Sequence, residues 1–299
     1  MRLLTLLILV AGCYGSPAKD PASPDPISNR TAPADSLQAR VAMLEAQLAQ
    51  YAEALEFLKM VYELQKASTE MQEARELAGD GVYAVDIAPN VKLGMVEGPP
   101  TAAVTIVKAF DFACPYCEQT SHVLSELVKQ YKGQLRVIYK NLVVHPDTAM
   151  EGHLASCGAA KQKKYVAFKD AFWTDAFTPY KASGGKDTTP MGTDNIMKIA
   201  AKVGLDVKKL KADMTGPECR AVVDADMAEL DKFKVNATPT FFINGKHVGG
   251  GLPKQDFITL IDAQLAVVTA SGVKAADYYQ QEVMGKGEKK FRSKKDPKP

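Results

Sequence analysis

Cys114 and Cys117, two thiols three residues apart in the run Phe112-Ala113-Cys114-Pro115-Tyr116-Cys117, are the residues of this chain best suited to chemistry. That spacing serves zinc, iron–sulfur clusters and redox exchange alike. A structural zinc site needs about four ligands. The chain has no second Cys-x-x-Cys and no His-x-x-x-His, and Cys157 and Cys219 are distant in sequence. Redox exchange has a narrower requirement, that one thiol ionise readily. The pair follows a nearly continuous apolar run, Ala103 to Phe110, and opens a helical stretch from Pro115. Cys114 is therefore expected at a helix N-terminus, where unpaired N–H groups and the helix dipole favour an anion. A thiolate stabilised there attacks disulfides and leaves readily in the reverse step. Cys117, one turn on and less exposed, is then the resolving thiol. Pro115 fits the first turn because the N–H it lacks would have had no partner.

A second signal is Thr238-Pro239, just ahead of Thr240-Phe241-Phe242-Ile243. A proline entering a strand cannot donate to the ladder, which predicts a special backbone such as a cis bond, the bland alternative being an ordinary turn. The runs Phe110 to Cys117 and Thr238 to Lys246 together resemble the thioredoxin superfamily, and the long helical stretch between them resembles its DsbA-like thiol-disulfide oxidoreductases. The resemblance covers roughly Pro99 to Gln264. It implies that Pro239 is cis beside the active pair and that Thr238 offers backbone hydrogen bonds to a bound client. Substrate-binding residues would then be Pro115, Tyr116, Thr238 and Pro239. Pro115-Tyr116 lacks the histidine typical of the strong oxidants, and with Thr238 the site is closer to the DsbC and DsbG isomerases. Oxidation, isomerisation and reduction all remain open.

The elements that must position these residues are legible as periodicities. The run Ala103–Phe110 reads as a strand buried on both faces. A helix from about Pro115 to Tyr131 and a strand from Leu135 follow, implying a parallel crossover. Val82–Val85 and a segment through Val96 are weaker strand candidates. Helices are predicted at about Ala149–Phe177, Asp194–Val203, Val207–Met214 and Cys219–Phe233, forming an insertion over about 146–234. Strands then flank an Asn244-Gly245 turn, the second ending in Gly249-Gly250-Gly251, and a helix runs from about Pro253 to Val268. The expected class is α/β, a thioredoxin-like fold with an inserted helical subdomain, preceded by a long coiled-coil helix.

That helix shows as Leu37, Val41, Leu44, Leu48, Tyr51, Leu55, Leu58 and Tyr62, at alternating intervals of four and three. This is a heptad seam with Ser36 as N-cap, read as self-association into a dimer or trimer, or alternatively as an amphipathic docking helix. Ahead of it, Met1-Arg2 and the apolar run to Val10 have the form of a secretory signal, and Val10-Ala11-Gly12-Cys13 resembles a bacterial lipobox that would lipidate Cys13. A plain signal with an incidental Cys13 is the other reading. Setting Cys13 aside leaves four of the five cysteines, an even set in a compartment where disulfides persist. The proline-rich stretch that follows is a spacer, able to reach ~60 Å where extended.

The expected organisation is thus a signal at 1–12, a linker at 13–35, a coiled-coil helix at 36–78, a catalytic domain at 79–270 and an extension at 271–299. The extension's basic tail, from Lys286, is expected to be disordered. Cys157 and Cys219 either pair as a structural disulfide or remain separate buried thiols. Asp111 and Glu118 either tune the pair as proton acceptors or are ordinary surface or helix-start carboxylates. His122, His145, His153 and His247 show no ligand spacing and are taken as structural. Trp173 with Phe168, Phe172 and Phe177 is read as the insertion's core. A net charge of +2 points to no nucleic acid, and no metal or cofactor is implied. The leading function is disulfide exchange with exported proteins on the periplasmic side of a bacterial envelope, from a lipid-anchored oligomer reset by a redox partner. Cu(I) binding by the paired thiols, or a coiled-coil scaffold or holdase, are the alternatives.

Overall fold

The computed structural model describes residues 37–298. The readings of the signal, Cys13, the spacer and Ser36 lie outside the described residues. The chain divides between Gln65 and Lys66 into two units. The seam lies on α1, Leu37–Glu73, an uninterrupted helix of 37 residues, about 55 Å long at 1.5 Å per residue. None of its residues is buried, and all eight apolar seam residues are exposed.

In the second unit, a five-stranded sheet runs in the order β1-β3-β2-β4-β5. These strands are Val96–Glu97, Val104–Phe110, Leu135–Asn141, Thr240–Ile243 and Lys246–Gly249. Only β2 and β3 are parallel, with Val107 opposite Ile138. β4 pairs antiparallel with β2, placing Phe241 opposite Lys108. Every residue of β2, β3 and β4 is buried, which is why these strands read as apolar runs rather than alternating patterns. Asn244 and Gly245, at φ 44° and 80°, supply the left-handed backbone of the β4–β5 turn.

The sheet's two faces carry two apolar clusters. Val104, Ile106 and Phe110 pack with Leu124 and Leu127 of α3 (Pro115–Gln130) and with the insertion. Val107 and Ala109 pack instead with Tyr83, Phe233, Phe242 and Tyr279. The insertion comprises α4 (Pro146–Lys161), α5 (Tyr165–Phe172), a π-helical turn at Trp173–Phe177, α6 (Thr178–Ala182), α7 (Thr193–Lys202), α8 (Val207–Thr215) and α9 (Pro217–Asp231). The single helix expected over Ala149–Phe177 is broken after Lys161, where Lys163 turns back at φ 58°. Cys157 of α4 and Cys219 of α9 form a disulfide, with Cα atoms 5.6 Å apart.

Three further segments differ from expectation. Val82–Val85 is extended but makes one isolated bridge, Tyr83 to Glu288. The helix α2, Ala88–Leu93, precedes β1, opening at a proline and ending at Gly94 with φ 92°. The basic tail is not disordered: Leu77 bridges Ser293, and Phe291 packs against the second cluster. Arg292 pairs with Asp80 at 2.7 Å and Glu288 at 2.8 Å, and Lys294 pairs with Glu76. The Phe291 ring against the apolar cluster, and Glu76 and Asp80 on the segment after α1, give the tail a place to dock, which composition does not reveal. After β5 come α10 (Lys254–Ser271) and the short α11 (Ala275–Tyr278). No single described helix is long and apolar enough to cross a membrane.

Candidate active site

Cys114 is the N-cap of α3, with φ −92° and ψ 119° and a proline in the first turn. Its carbonyl accepts from the N–H groups of Cys117 and Glu118 at 3.0 and 3.2 Å. Both cysteines are free thiols, Cys117 fully buried and Cys114 5% exposed. A hydrogen bond from the Cys117 thiol, joined by the N–H groups of Cys117 and Tyr116, lowers Cys114 to about 6 against the opposing effect of burial. Burial, and the same bond to Cys114, push Cys117 well above an ordinary thiol. One sulfur is thus mostly ionised at neutral pH while its neighbour holds its proton.

Across from α3, the Thr238–Pro239 peptide is cis, and the Cys114 thiol donates to the Thr238 carbonyl oxygen at 3.4 Å. Pro239 is buried and Thr238 half-buried, while Pro115 is exposed and Tyr116 is 60% exposed. A Cβ on Gly251 would come within 3.1 Å of the Tyr116 ring, so a glycine there lets the loop after β5 approach the active turn. The structure therefore gathers Pro115, Tyr116, Thr238 and Pro239 around Cys114. Cys157 and Cys219 belong to the insertion and are spent in their own disulfide.

The supporting residues are less ordinary than their sequence suggested. Asp111 is fully buried rather than a surface carboxylate. Its Oδ1 accepts from Ala113 N–H at 2.6 Å, and its Oδ2 from the N–H groups of Val144 and His145 at 2.6 and 2.9 Å. It ties the active loop to the segment after β3. Glu118 pairs with Lys181 at 3.2 Å and His122 at 3.3 Å. His145 lies 3.4 Å from Asp111, and His247 packs on Phe242. His153, fully buried, accepts the Phe112 N–H at Nε2 and bonds Asn141 Oδ1 through Nδ1 at 2.8 Å. Burial lowers it to about 4. Phe168, Phe172, Trp173 and Phe177 are fully buried, and Phe172 and Trp173 pack on Phe112, with ring centroids 4.4 and 5.0 Å away. The insertion's core therefore touches the active loop directly.

Lys108 and Ser121 belong to no motif, yet they lie under the pair. Lys108 Nζ donates to the Cys117 carbonyl at 2.8 Å and to Ser121 Oγ at 2.7 Å. The available signal was a charge in the middle of an otherwise apolar strand. Among the described residues no group of three or more His, Cys, Asp or Glu is placed to hold a metal.

The family model described as Thioredoxin matches residues 90–263. Among curated proteins, the chain is 29% identical over 177 residues to the probable disulfide bond formation protein D of Bacillus anthracis, covering 56% of this chain and 76% of that protein. It is 26% identical over 168 residues to the Na+/H+ antiporter NhaA of Herminiimonas arsenicoxydans, covering 56% of this chain and 25% of the antiporter. The chain thus spans about a quarter of the length of the antiporter relatives it matches. Among solved structures, alpha-DsbA1 of Wolbachia pipientis superposes with a TM-score of 0.51 at 18% identity, over 59% of this chain and 92% of that one. At that identity the likeness shows the fold.

Proposed function

The chain belongs to the thioredoxin family, matched over residues 90–263, and from that membership we propose that it is a thiol-disulfide oxidoreductase acting on exported proteins through Cys114. The observation that carries this reading is the placement of two thiols one helical turn apart, Cys114 at the N-cap of α3 against the cis Thr238–Pro239 peptide and Cys117 fully buried behind it, an arrangement that lowers the first to about 6 and raises the second. Exchange through a mixed disulfide needs that contrast. The Cys114 thiolate attacks a client disulfide, one client sulfur leaves, and Cys117 then displaces the client from Cys114. Run backwards, the same steps deliver a disulfide to client thiols. Thr238 and Pro239 stand against the nucleophile where an extended client backbone would pair, and the exposed Tyr116 ring offers apolar area beside it. The resemblance to a probable disulfide bond formation protein agrees with this reading.

The finer parts of the proposal concern place and assembly. Cys13 carries lipid on the periplasmic side of a bacterial envelope, the proline-rich spacer holds the rest away from the membrane, and a redox partner resets the pair. Copies of the chain assemble through α1. Support for assembly comes from the exposed apolar side chains at alternating steps of three and four, since a heptad seam is complementary to a second copy of itself.

The test is a trap. In Cys117→Ala the resolving thiol is gone, and envelope proteins should accumulate on Cys114 as mixed disulfides that a reductant releases. A folded Cys117→Ala protein that captures no such partners contradicts the proposal.

A further inference from the structure

β5 is the outer strand of the sheet, and a cleft of about 520 Å³ opens beside it. Part of its lining is the cis-proline turn. Ala237 and Thr240 bracket Thr238–Pro239, and the Gly250 N–H donates to the Pro239 carbonyl at 3.0 Å. The lining also includes Arg75, Glu76 and Gly79 from the segment after α1, and Lys294 from the tail. These four lie outside residues 90–263, the domain shared with the family. The cleft therefore exists because this chain's own flanking segments fold back on the domain. A Cβ on Gly79 or Gly250 would meet nothing within 4 Å, so both glycines leave the space open.

The charges that line it are unequal. Glu76 is paired with Lys294. Arg75 and Lys234 remain, both exposed, and among the described residues neither makes an ion pair. Lys234 Nζ stands over the Phe291 ring, 4.1 Å from its centroid, a contact that holds the ammonium without neutralising it. The neighbouring tail carboxylate, Asp296, accepts the Ser293 N–H at 2.7 Å. His247 adds no cation at neutral pH, because burial lowers its affinity for a proton. Two uncompensated cations thus line a cleft that starts at the peptide bonded to the Cys114 thiol.

We propose that this cleft takes an acidic segment of the client, so that Arg75 and Lys234 select for Asp and Glu beside the cysteine that reacts with Cys114. The inference rests on the exchange reading above and names its substrate class. A client backbone that passes Pro239 enters the cleft before it reaches bulk water. There its carboxylates meet the Lys234 ammonium and the planar Arg75 guanidinium, which can hold a carboxylate through two N–H groups. Both cations are exposed, so the gain is modest and salt screens it. Selection acts on capture of the client, since the Cys114 thiolate is the same for all clients.

The test uses the full chain carrying Cys117→Ala and three peptides with one cysteine each, flanked by Asp and Glu, by Ser and Gln, or by Lys. Each peptide is activated as its mixed disulfide with 5-thio-2-nitrobenzoate. The Cys114 thiolate attacks the peptide sulfur, the new disulfide forms as the old one breaks, and the electrons leave on thionitrobenzoate. Mass spectrometry measures the adduct at Cys114. The acidic peptide should add about fivefold faster than the neutral one at low salt, the range of one or two exposed ion pairs, and the advantage should shrink as salt is raised. Arg75→Gln with Lys234→Gln should abolish the advantage and leave the neutral peptide's rate unchanged. Lys234→Glu should turn the preference toward the lysine peptide. Lys208→Gln with Lys211→Gln, on the exposed side of α8, removes the same charge elsewhere and should change nothing. Equal rates for the three peptides overturn the proposal, as does an acidic preference that survives loss of Arg75 and Lys234 or that falls equally in the α8 control. Uptake of the peptides without a charge preference sinks this inference and leaves disulfide exchange standing. No adduct with any peptide sinks the exchange reading, and this inference with it.

Discussion

The Cys114 thiol and the Thr238 carbonyl oxygen, 124 positions apart in sequence, meet at 3.4 Å. The meeting is enforced by the sheet, where β4 lies beside β2 and continues from the cis Pro239 turn. A carbonyl can accept from a thiol but not from a thiolate. Ionisation of Cys114 therefore releases the Thr238 carbonyl to accept an N–H from a client backbone at the moment the sulfur becomes reactive.

Cys114 reactivity should depend on pH, because the thiolate and not the thiol is the nucleophile. Alkylation of Cys114 should rise as pH rises through about 6 and level well below the ordinary thiol range, about 8.5. The largest cause of the shift is the hydrogen bond from Cys117, so Cys117→Ala should move the midpoint upward. Because the thiolate stabilises the dithiol form, the pair should be oxidising, with a reduction potential in the glutathione range or above. Each 30 mV corresponds to ~1.4 kcal/mol. An ordinary midpoint in the wild type would remove the basis for assigning Cys114 as nucleophile, and a strongly reducing potential would assign the chain to reduction.

Cys157 and Cys219 close a long loop, being separated by 62 positions. Loop closure of that length is worth roughly 4 kcal/mol in the chain-entropy account. The double Cys→Ala variant at 157 and 219 should therefore unfold at markedly lower urea, by about that free energy, while the Cys114 alkylation midpoint stays in place. A shifted midpoint would mean that the insertion's bridge also shapes the active turn.

Much of this architecture is legible in the residues, for identifiable reasons. β2 and β4 announce themselves because burial on both faces demands unbroken apolar runs, and the β4–β5 turn because Asn244-Gly245 tolerates left-handed backbone. Cys114 at a helix start followed from the apolar strand run before it and the helical stretch that opens at Pro115. Asp111 was misjudged since a carboxylate satisfied by three backbone N–H groups looks like any other in sequence. The tail at Phe291–Lys294 was misjudged because its anchors, Glu76 and Asp80, lie over two hundred positions away. Lys108 was passed over because β2 was read for its apolar pattern, and the one charge in that strand bonds the Cys117 carbonyl.

The exposed stripe on α1 gives a separate prediction about assembly. Replacing Leu48 and Leu55, both 54% exposed or more, by lysine places charges at two seam positions one heptad apart. Sedimentation should then show monomers where the wild type shows an oligomer. Glutathione exchange at Cys114 should persist, since the thiols lie outside the seam. A wild-type chain that sediments as a monomer at micromolar concentration would remove the assembly proposal.

His153 gives a stability prediction with a definite sign. Unfolded, it binds a proton below about 6.5; folded, burial delays this to about 4. The unfolded chain therefore holds more protons between those values, and stability falls as pH falls through that window. The difference of about 2.5 units corresponds to roughly 3 kcal/mol at 1.36 kcal/mol per unit. Cys114 loses its own contribution as pH falls through about 6, so the measurement belongs on the disulfide form, where that sulfur does not titrate. His247 is also lowered by burial and contributes in the same direction, so the wild type must be read against His153→Phe. That variant keeps a ring beside Phe110 and Phe112 but loses the bonds to Asn141 and the Phe112 N–H. It should be less stable at neutral pH, by about 1–3 kcal/mol for the buried partners left unpaired, and its stability should fall less steeply with acid. Parallel loss in both proteins from pH 6.5 to 4 would show that protonation of His153 does not govern the acid limit of the fold.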